Sequence, residues 1–275
     1  LIVTINKYKP FYKLNDDIKI VSLKEEQASN NVLFAIVANI NIIFKLFYIY
    51  RKYSIKRLYC FLLTSNILGV ISGKIMGLDV IISERENPYI RKIKYWDFLR
   101  KILYRYADRL IVQTEGSKKY FTNLVNHNKI KIIPNPVKLK NVDLSIKEKI
   151  VLTVGRCDSN KNQSMIINAF SKVDSSWKLI ICGDGPKLNE LKVLVKTLKI
   201  SNRVDFTGYI KNVDDYYKKA SIFAFSSLSE GFPNVILESM SYGCACITTD
   251  CDFGPSDIIT NKKNGFLIPK NDNEL

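Results

Sequence analysis

The chain has 275 residues, 47% hydrophobic and 25% charged, a balance that excludes a disordered chain and leaves room for one large domain or two ordinary ones. Its formal net charge of +16 is uneven: residues 1–148 carry 26 basic and 12 acidic residues, a net of +14, while residues 149–275 carry 16 and 14, a net of +2. The asymmetry predicts two domains with different duties, and a basic face suits nucleic acid, an anionic membrane or a phosphorylated substrate.

In chain order, Leu1 to Ile5 reads as a strand entered midway with no initiator Met, and residues 271–275 stop where a helix would begin. Both ends are therefore expected to be cut. Residues 31–50 form the longest apolar run, long enough for a bilayer. Asn39, Asn41 and Lys45 interrupt it, which is costly at membrane depth, so a buried helix of a globular domain is expected. Strands follow at 57–62, 79–83 and 109–113, with helices at 65–76 and 93–106. The segment 130–137, a strand ending in two prolines, marks a crossover between domains expected at 1–140 and 141–275.

The second half alternates strictly. Strands are expected at 149–155, 177–182, 203–207, 221–225, 245–249 and 265–269. Helices are expected at 162–173, 186–199, 214–220 and 232–242. Such alternation predicts a parallel sheet covered on both faces, with ligands at the carboxyl ends of its strands. The six cysteines form no CxxC pair and read as buried free thiols. The single histidine, His127, lies in a polar stretch, so neither a His-based triad nor a zinc site is expected.

Three strand-to-helix turns carry chemistry. In the first, Gly155 ends a strand and Arg156 and Lys161 precede a helix; two cations beside helix-terminal amides make an anion site, for which a diphosphate is the natural guest. A basic solvated loop is the plain alternative. In the second, Gly183-Asp184-Gly185-Pro186, glycines either let backbone approach a ligand or only shape a tight turn. Neither a GxGxxG fingerprint nor a GKS/T phosphate loop occurs, which argues against a nicotinamide enzyme and a P-loop NTPase. In the third, Ser229 to Met240, Glu230 and Glu238 offer carboxylates to vicinal hydroxyls. The amides of Gly231, Phe232, Asn234 and Val235 are expected free at a helix start, with Pro233 in the first turn. The combination suits a polyhydroxylated molecule with a phosphate in its middle.

These motifs resemble those of retaining glycosyltransferases of the GT-B fold, family 4 (glycosyl transferases group 1). Glu230 and Glu238 form the E-x7-E pattern, and residues 155–161 are similar to the G-R-x4-K turn. GDGP at 183–186, FTGYI at 206–210, GPSDII at 254–259 and NGFLIP at 264–269 complete the resemblance in order. It implies an α/β chain of two Rossmann-like parallel-sheet domains facing a central cleft, the first incomplete because the family's glycine-rich loop would precede residue 1. It implies that Arg156 and Lys161 hold a donor diphosphate, that Glu230 contacts the transferred sugar and Glu238 the ribose. Gly155, Gly183, Asp184, Tyr209, Ile210, Gly231, Phe232, Pro233, Asn234 and Val235 would line the donor site. No metal cofactor is implied, because the cations do its electrostatic work.

Residues 83–88 resemble an S-E-R-N-x-P subset of bacterial transferases that build surface glycans or lipid-linked oligosaccharides. Many relatives carry a histidine there; here Glu84 or Arg85 would take the catalytic acceptor-side role, or Glu84 would form a structural ion pair. The implied activity moves a hexose or N-acetylhexosamine, most simply from UDP-linked Gal, GalNAc or GlcNAc, to a glycan or polyprenyl-pyrophosphate-linked acceptor. That would occur in the cytoplasm or on the inner face of the plasma membrane, with no nucleic acid as partner. Arg91, Lys92, Lys94, Arg100, Lys101 and Arg105, mixed with Tyr95, Trp96, Phe98 and Tyr104, would hold a lipid pyrophosphate or an anionic bilayer surface. The alternative is the solvated face of a core helix. A GT-B sugar-nucleotide epimerase and a non-catalytic nucleotide-sugar-binding protein are the competing functions.

Overall fold

The expected alternation of short apolar strands and amphipathic helices runs through the computed structural model, which describes residues 1–5, 13–23, 32–89 and 94–270. The chain divides into two compact units. The first comprises Leu1–Glu84, Arg91–Ile111 and Leu124–Lys131, and the second Arg85–Ile90, Val112–Asn123 and Ile132–Leu275.

In the first unit, β1 (Ile2–Thr4) and β2 (Ile20–Ser22) pair in parallel. Next come α1 (Val32–Lys52), β3 (Arg57–Phe61), α2 (Leu63–Ile75), β4 (Asp79–Ser83), α3 (Lys94–Leu103), β5 (Arg109–Val112) and β6 (Ile130–Ile132), while α4 (Glu115–Phe121), between β5 and β6 in the chain, belongs to the second unit. The strands β3-β4-β5-β6 form a four-stranded sheet in sequential order. β4 is buried at Val80, Ile81, Ile82 and Ser83, as a central parallel strand covered on both faces must be. The helix expected from residues 31–50 exists, but only one face is buried: Ile42 and Ile49 pack with Leu23 and Leu68. Val37, Ile40, Phe44 and Tyr48 lie exposed on the other, so the run forms a helix buried on one apolar face and exposed on a second. Among the described residues no helix is long and apolar enough to cross a membrane.

The second unit is built on β7 (Glu148–Val154), α5 (Gln163–Phe170), β8 (Lys178–Cys182), α6 (Leu188–Thr197), β9 (Val204–Gly208) and α7 (Asp214–Lys219). They are followed by β10 (Ala220–Phe225), α8 (Asn234–Ser241), β11 (Ala245–Thr249), α9 (Pro255–Ile258) and β12 (Phe266–Ile268). All pairings are parallel, in the order β12-β11-β10-β7-β8-β9. Period-2 alternation feeds two cores. Val151 joins Ile167, Phe170, Leu179 and Leu191 on the α5–α6 side, while Leu152 joins Phe223, Tyr217, Ile236 and Cys246 on the α7–α8 side. Two aromatics of that second core, Tyr217 and Tyr242, stack at 5.6 Å.

The cysteines are free, with all but Cys60 buried. Burial pushes the thiols up, Cys60 and Cys251 to about 12 and Cys246 to about 11, so they behave as small hydrophobes rather than nucleophiles.

Candidate functional site

The strand order fixes where chemistry can gather in the second unit. β7 runs outward to β8 and β9, and β10 outward to β11 and β12, so the sheet reverses direction between β7 and β10. At such a switch point the two strand-to-helix turns diverge to opposite faces and leave a crevice at the carboxyl edge. Here those turns are 155–162 after β7 and 226–233 after β10, two of the three singled out from sequence.

The first turn is braced from within. Asp158 Oδ1 accepts from the amides of Asn160 and Lys161, each at 3.0 Å. Asn162 takes the left-handed conformation at φ 48° before α5, which an Asn tolerates better than most residues. The turn is then stitched to its neighbour. Ser226 Oγ donates to the Lys161 carbonyl at 2.7 Å, Asn160 Nδ2 donates to the Ser229 carbonyl at 2.9 Å, and the Leu228 amide donates to the Asn160 carbonyl at 2.8 Å. The outcome is a lysine aimed across the crevice: Lys161 Nζ lies 2.6 Å from Glu230 Oε1 and 5.2 Å from the centre of the Phe225 ring. Both members of the pair are largely buried, at 23% and 15% side-chain exposure, whereas Arg156 is 70% exposed and stands 3.6 Å from Asp158.

The second turn backs the first. A Cβ on Gly183 would lie 1.9 Å from the Gly155 carbonyl oxygen, and one on Gly185 would lie 2.4 Å from that of Cys157. The two turns are also hydrogen-bonded, Gly155 N to Cys182 O at 3.0 Å and Cys157 N to Asp184 O at 2.9 Å. The close backbone approach these glycines permit is thus to the Gly155–Cys157 turn. Asp184 itself is exposed.

In the third turn Pro233 is the N-cap of α8 rather than a member of its first turn, and the helix starts at Asn234. The Asn234 amide donates to the Phe232 carbonyl at 3.1 Å, which corrects the expectation that it is free. The amides of Gly231, Phe232 and Val235 have no partner among the described residues, the condition in which a helix start binds an anion. Glu238 lies further along α8, half-buried, accepting from Tyr217 Oη at 3.4 Å. Burial raises its pKa above the ordinary glutamate value, opposed by the Tyr217 hydrogen bond and reinforced by Asp214. After β9, Gly208 has φ 69° and Tyr209 projects 71% exposed, with Ile210 packed against the α7–α8 core.

The stretch from residue 83 to residue 89 splits between the units. Glu84, 5% exposed in the first unit, accepts from the buried Tyr104 hydroxyl, which in turn accepts from Asn66 Nδ2 at 3.0 Å. Asn66 Nδ2 also reaches the Ser83 carbonyl at 3.0 Å. Glu84 is thus anchored inside the first unit by a buried tyrosine hydroxyl. Arg85, in the second unit, donates to Asn135 Oδ1, and Asn87 Nδ2 donates to Ser229 Oγ at 2.6 Å. Of the basic aromatic helix, Arg91 and Lys92 lie outside the described residues. Arg100 is 4% exposed and paired with Asp97, and Tyr104 is fully buried, so neither belongs to a basic face. What stays exposed on α3 and the turn after it is Tyr95, Phe98, Ile102 and Tyr106, beside Lys101 and Arg105.

Several residues of this second-unit constellation were not singled out from sequence: Asn160 and Ser226, which aim Lys161; Tyr217, which holds Glu238; and Asn135, which links Arg85 to Asn234. Only Asn135 carried a local signal, a polar side chain between two prolines in a crossover.

The family model described as glycosyl transferases group 1 matches residues 137–275. Over 280 residues the chain is 33% identical to a Campylobacter jejuni relative, covering 97% of this chain and 75% of that one. That relative is the GalNAc-alpha-(1->4)-GalNAc-alpha-(1->3)-diNAcBac-PP-undecaprenol alpha-1,4-N-acetyl-D-galactosaminyltransferase. A second C. jejuni relative is the N-acetylgalactosamine-N,N'-diacetylbacillosaminyl-diphospho-undecaprenol 4-alpha-N-acetylgalactosaminyltransferase. It is 32% identical over 62% of this chain, which spans about half (49%) of its length. Among solved structures, the apo lipopolysaccharide outer core galactosyltransferase WaaB superposes with a TM-score of 0.77 at 23% identity, over 94% of this chain and 72% of that one. Anabaena HepE in complex with UDP gives a TM-score of 0.76 at 18% identity, over 93% and 73%. At these identities the structural likeness speaks for the GT-B fold alone.

Proposed function

The chain belongs to the glycosyl transferases group 1 family, and from that premise we propose that it transfers a hexose or N-acetylhexosamine from a UDP-sugar to a hydroxyl of a glycan or polyprenyl-diphosphate-linked acceptor, with retention of configuration and without a metal ion. The observation that carries this reading is the Lys161–Glu230 pair, 2.6 Å apart at the switch point, in the turn that also presents the unpartnered amides of Gly231, Phe232 and Val235. A cation and helix-terminal amides suit a diphosphate; a carboxylate beside them suits sugar hydroxyls. When donor enters, its phosphates compete for Lys161 and release Glu230 to the transferred sugar. Arg156, exposed in the same turn, adds a second cation. As the bond from the anomeric carbon to the β-phosphate oxygen breaks, charge grows on the leaving UDP, and these groups hold it more tightly than in the ground state. The acceptor oxygen bonds to the anomeric carbon on the face the UDP leaves, and its proton passes to the departing phosphate. Glu238 receives the ribose hydroxyls, and Tyr209 and Ile210 border the base.

The relatives' undecaprenol-linked acceptors support a lipid-linked acceptor here and work at a membrane surface. The exposed aromatics of α3 beside Lys101 and Arg105 suit contact with an anionic surface.

Calorimetric titration of UDP into the full-length protein with EDTA present tests the donor site. Micromolar binding is expected; no binding with or without a divalent cation would overturn the assignment. The pH dependence follows from Glu238. It must be ionised to accept from the ribose, and its pKa is raised, so affinity should fall on acidification at a higher pH than an ordinary glutamate would give. Glu238→Gln should bind more weakly and lose that step. Stability of the free protein should move the other way. A carboxylate whose folded pKa is raised favours the folded state at low pH, and that contribution is lost as pH rises through the raised value.

A further inference from the structure

Within the second unit, three segments distant in sequence interlock at the start of α8. A Cβ on Gly231 would lie 2.3 Å from the Arg85 carbonyl oxygen, so the two backbones touch. Asn87 fastens the same stretch to Ser229. Asn135 then makes a two-sided bond: its Oδ1 accepts from Arg85 Nη1, and its Nδ2 donates to Asn234 Oδ1 at 2.7 Å. A primary amide can accept from a guanidinium with its oxygen and donate to a second acceptor with its nitrogen, whereas a methyl in its place can do neither. Pro134 and Pro136 restrict the backbone on both sides of Asn135, so the amide sits on a stiffened stem although it belongs to no helix or strand. Asn234 is the first residue of α8, the helix preceded by the unpartnered amides. The guanidinium of Arg85 is therefore two hydrogen bonds from a helix start built to receive negative charge.

We propose that Asn135 is a positioning residue that holds Arg85 at the N-terminal end of α8, where its guanidinium binds a substrate diphosphate together with the Gly231 and Phe232 amides. This rests on the donor-site reading above and moves Arg85 from the acceptor hydroxyl to the phosphates. The diphosphate comes either from the donor or from the lipid carrier of the acceptor. Asn135 acts through Arg85, so its loss matters only while the arginine is present.

The test is a double-mutant cycle in the full-length protein with Asn135→Ala, Arg85→Ala and both. UDP release from UDP-N-acetylgalactosamine is followed with and without a polyprenyl-diphosphate-linked N-acetylgalactosaminide, and melting temperature is recorded throughout. Each single variant should lose about tenfold or more, and Asn135→Ala should cost less than about twofold in the Arg85→Ala background, since coupled residues are not additive. For a donor diphosphate, kcat falls even without acceptor; for a carrier diphosphate, acceptor-free release is unchanged and the acceptor KM rises. Asn135→Asp guards against a folding effect. It keeps an acceptor for Arg85 and so should preserve melting temperature, yet it cancels the cation and should lose activity as Asn135→Ala does. Additive losses, wild-type activity in Asn135→Asp, or no loss in either arm would overturn the proposal. Should wild type itself release no UDP, the donor-site reading falls; should wild type be active, Lys161→Ala inactive and Asn135→Ala unaffected, only the present inference falls.

Discussion

Replacing Lys161 by Ala is expected to lower UDP release from the sugar donor by about 10²–10³-fold, the usual cost of removing one preorganised group that faces developing charge. Two effects add. The ammonium that would face the diphosphate disappears, and the Glu230 carboxylate, 15% exposed and 2.6 Å from that ammonium, is left without its partner beside the incoming phosphates. Lys161→Arg keeps the charge but not the shape, because a planar fork cannot occupy the place of a compact ammonium packed over the Phe225 ring. It should recover only part of the loss. A purely structural ion pair predicts something different: Lys161→Met with Glu230→Gln, which removes both charges, should restore melting temperature and activity alike. The account predicts restored stability with activity still absent, and stopped assays of UDP release beside thermal melts separate the two.

The second large effect is expected from Gly183→Ala. The added carbon would stand 1.9 Å from the Gly155 oxygen and 2.8 Å from its carbonyl carbon, and both obstacles are backbone, so no rotamer change relieves the overlap. The turns must part, which strains the Gly155 N–Cys182 O and Cys157 N–Asp184 O bonds together. A loss of about 2–4 kcal/mol is expected, in the range of severe overpacking, with a fall in melting temperature of about 5–10 °C. Because the displaced turn carries Lys161, UDP affinity should fall with it. Gly208→Ala is the matched control. Its Cβ would meet nothing within 4 Å, so only the left-handed backbone at φ 69° opposes it, at about 1–2 kcal/mol. Equal effects of the two substitutions in thermal melts would show that the packing of turn on turn does not matter.

Much of this molecule was legible in its sequence, for reasons particular residues make plain. The strands β7 to β12 are short β-branched or aromatic runs closed by glycines or polar turns, and each was expected within a residue or two of where it lies. β2, α4 and α9 were not. β2 and α9 have only three and four residues, too few for a period to show. α4 carries Gly116 in its first turn, and its capping signal, the Thr114 side chain accepting from the Ser117 amide, is a single side chain. The apolar run of α1 could not reveal which of its faces would find a partner, since both are apolar.

The site was legible as residue types and turns, less so as contacts. Lys161 and Glu230 are 69 positions apart, and only the adjacency of β7 to β10 brings them together. Sequence spacing gave each its turn; strand order gave the pair. Glu84 and Arg85 are neighbours in sequence that the fold sends to different tasks, one buried against Tyr104 and the other tied to Asn135. Arg100 looked like part of a basic face because charge is visible in sequence and its partner Asp97, three residues earlier, was not weighed against it.

The central claim, that this site transfers a sugar from a UDP donor with retention and without metal, is tested most directly by product analysis. The full-length protein, in EDTA, is incubated with UDP-N-acetylgalactosamine, UDP-N-acetylglucosamine or UDP-galactose and a polyprenyl-diphosphate-linked N-acetylgalactosaminide, and the product linkage is read by NMR. The account predicts that one of these α-linked donors yields an α-glycosidic product on the acceptor. A β-linked product, an absolute requirement for a divalent cation, or conversion of the donor to its epimer with no sugar transferred would contradict it.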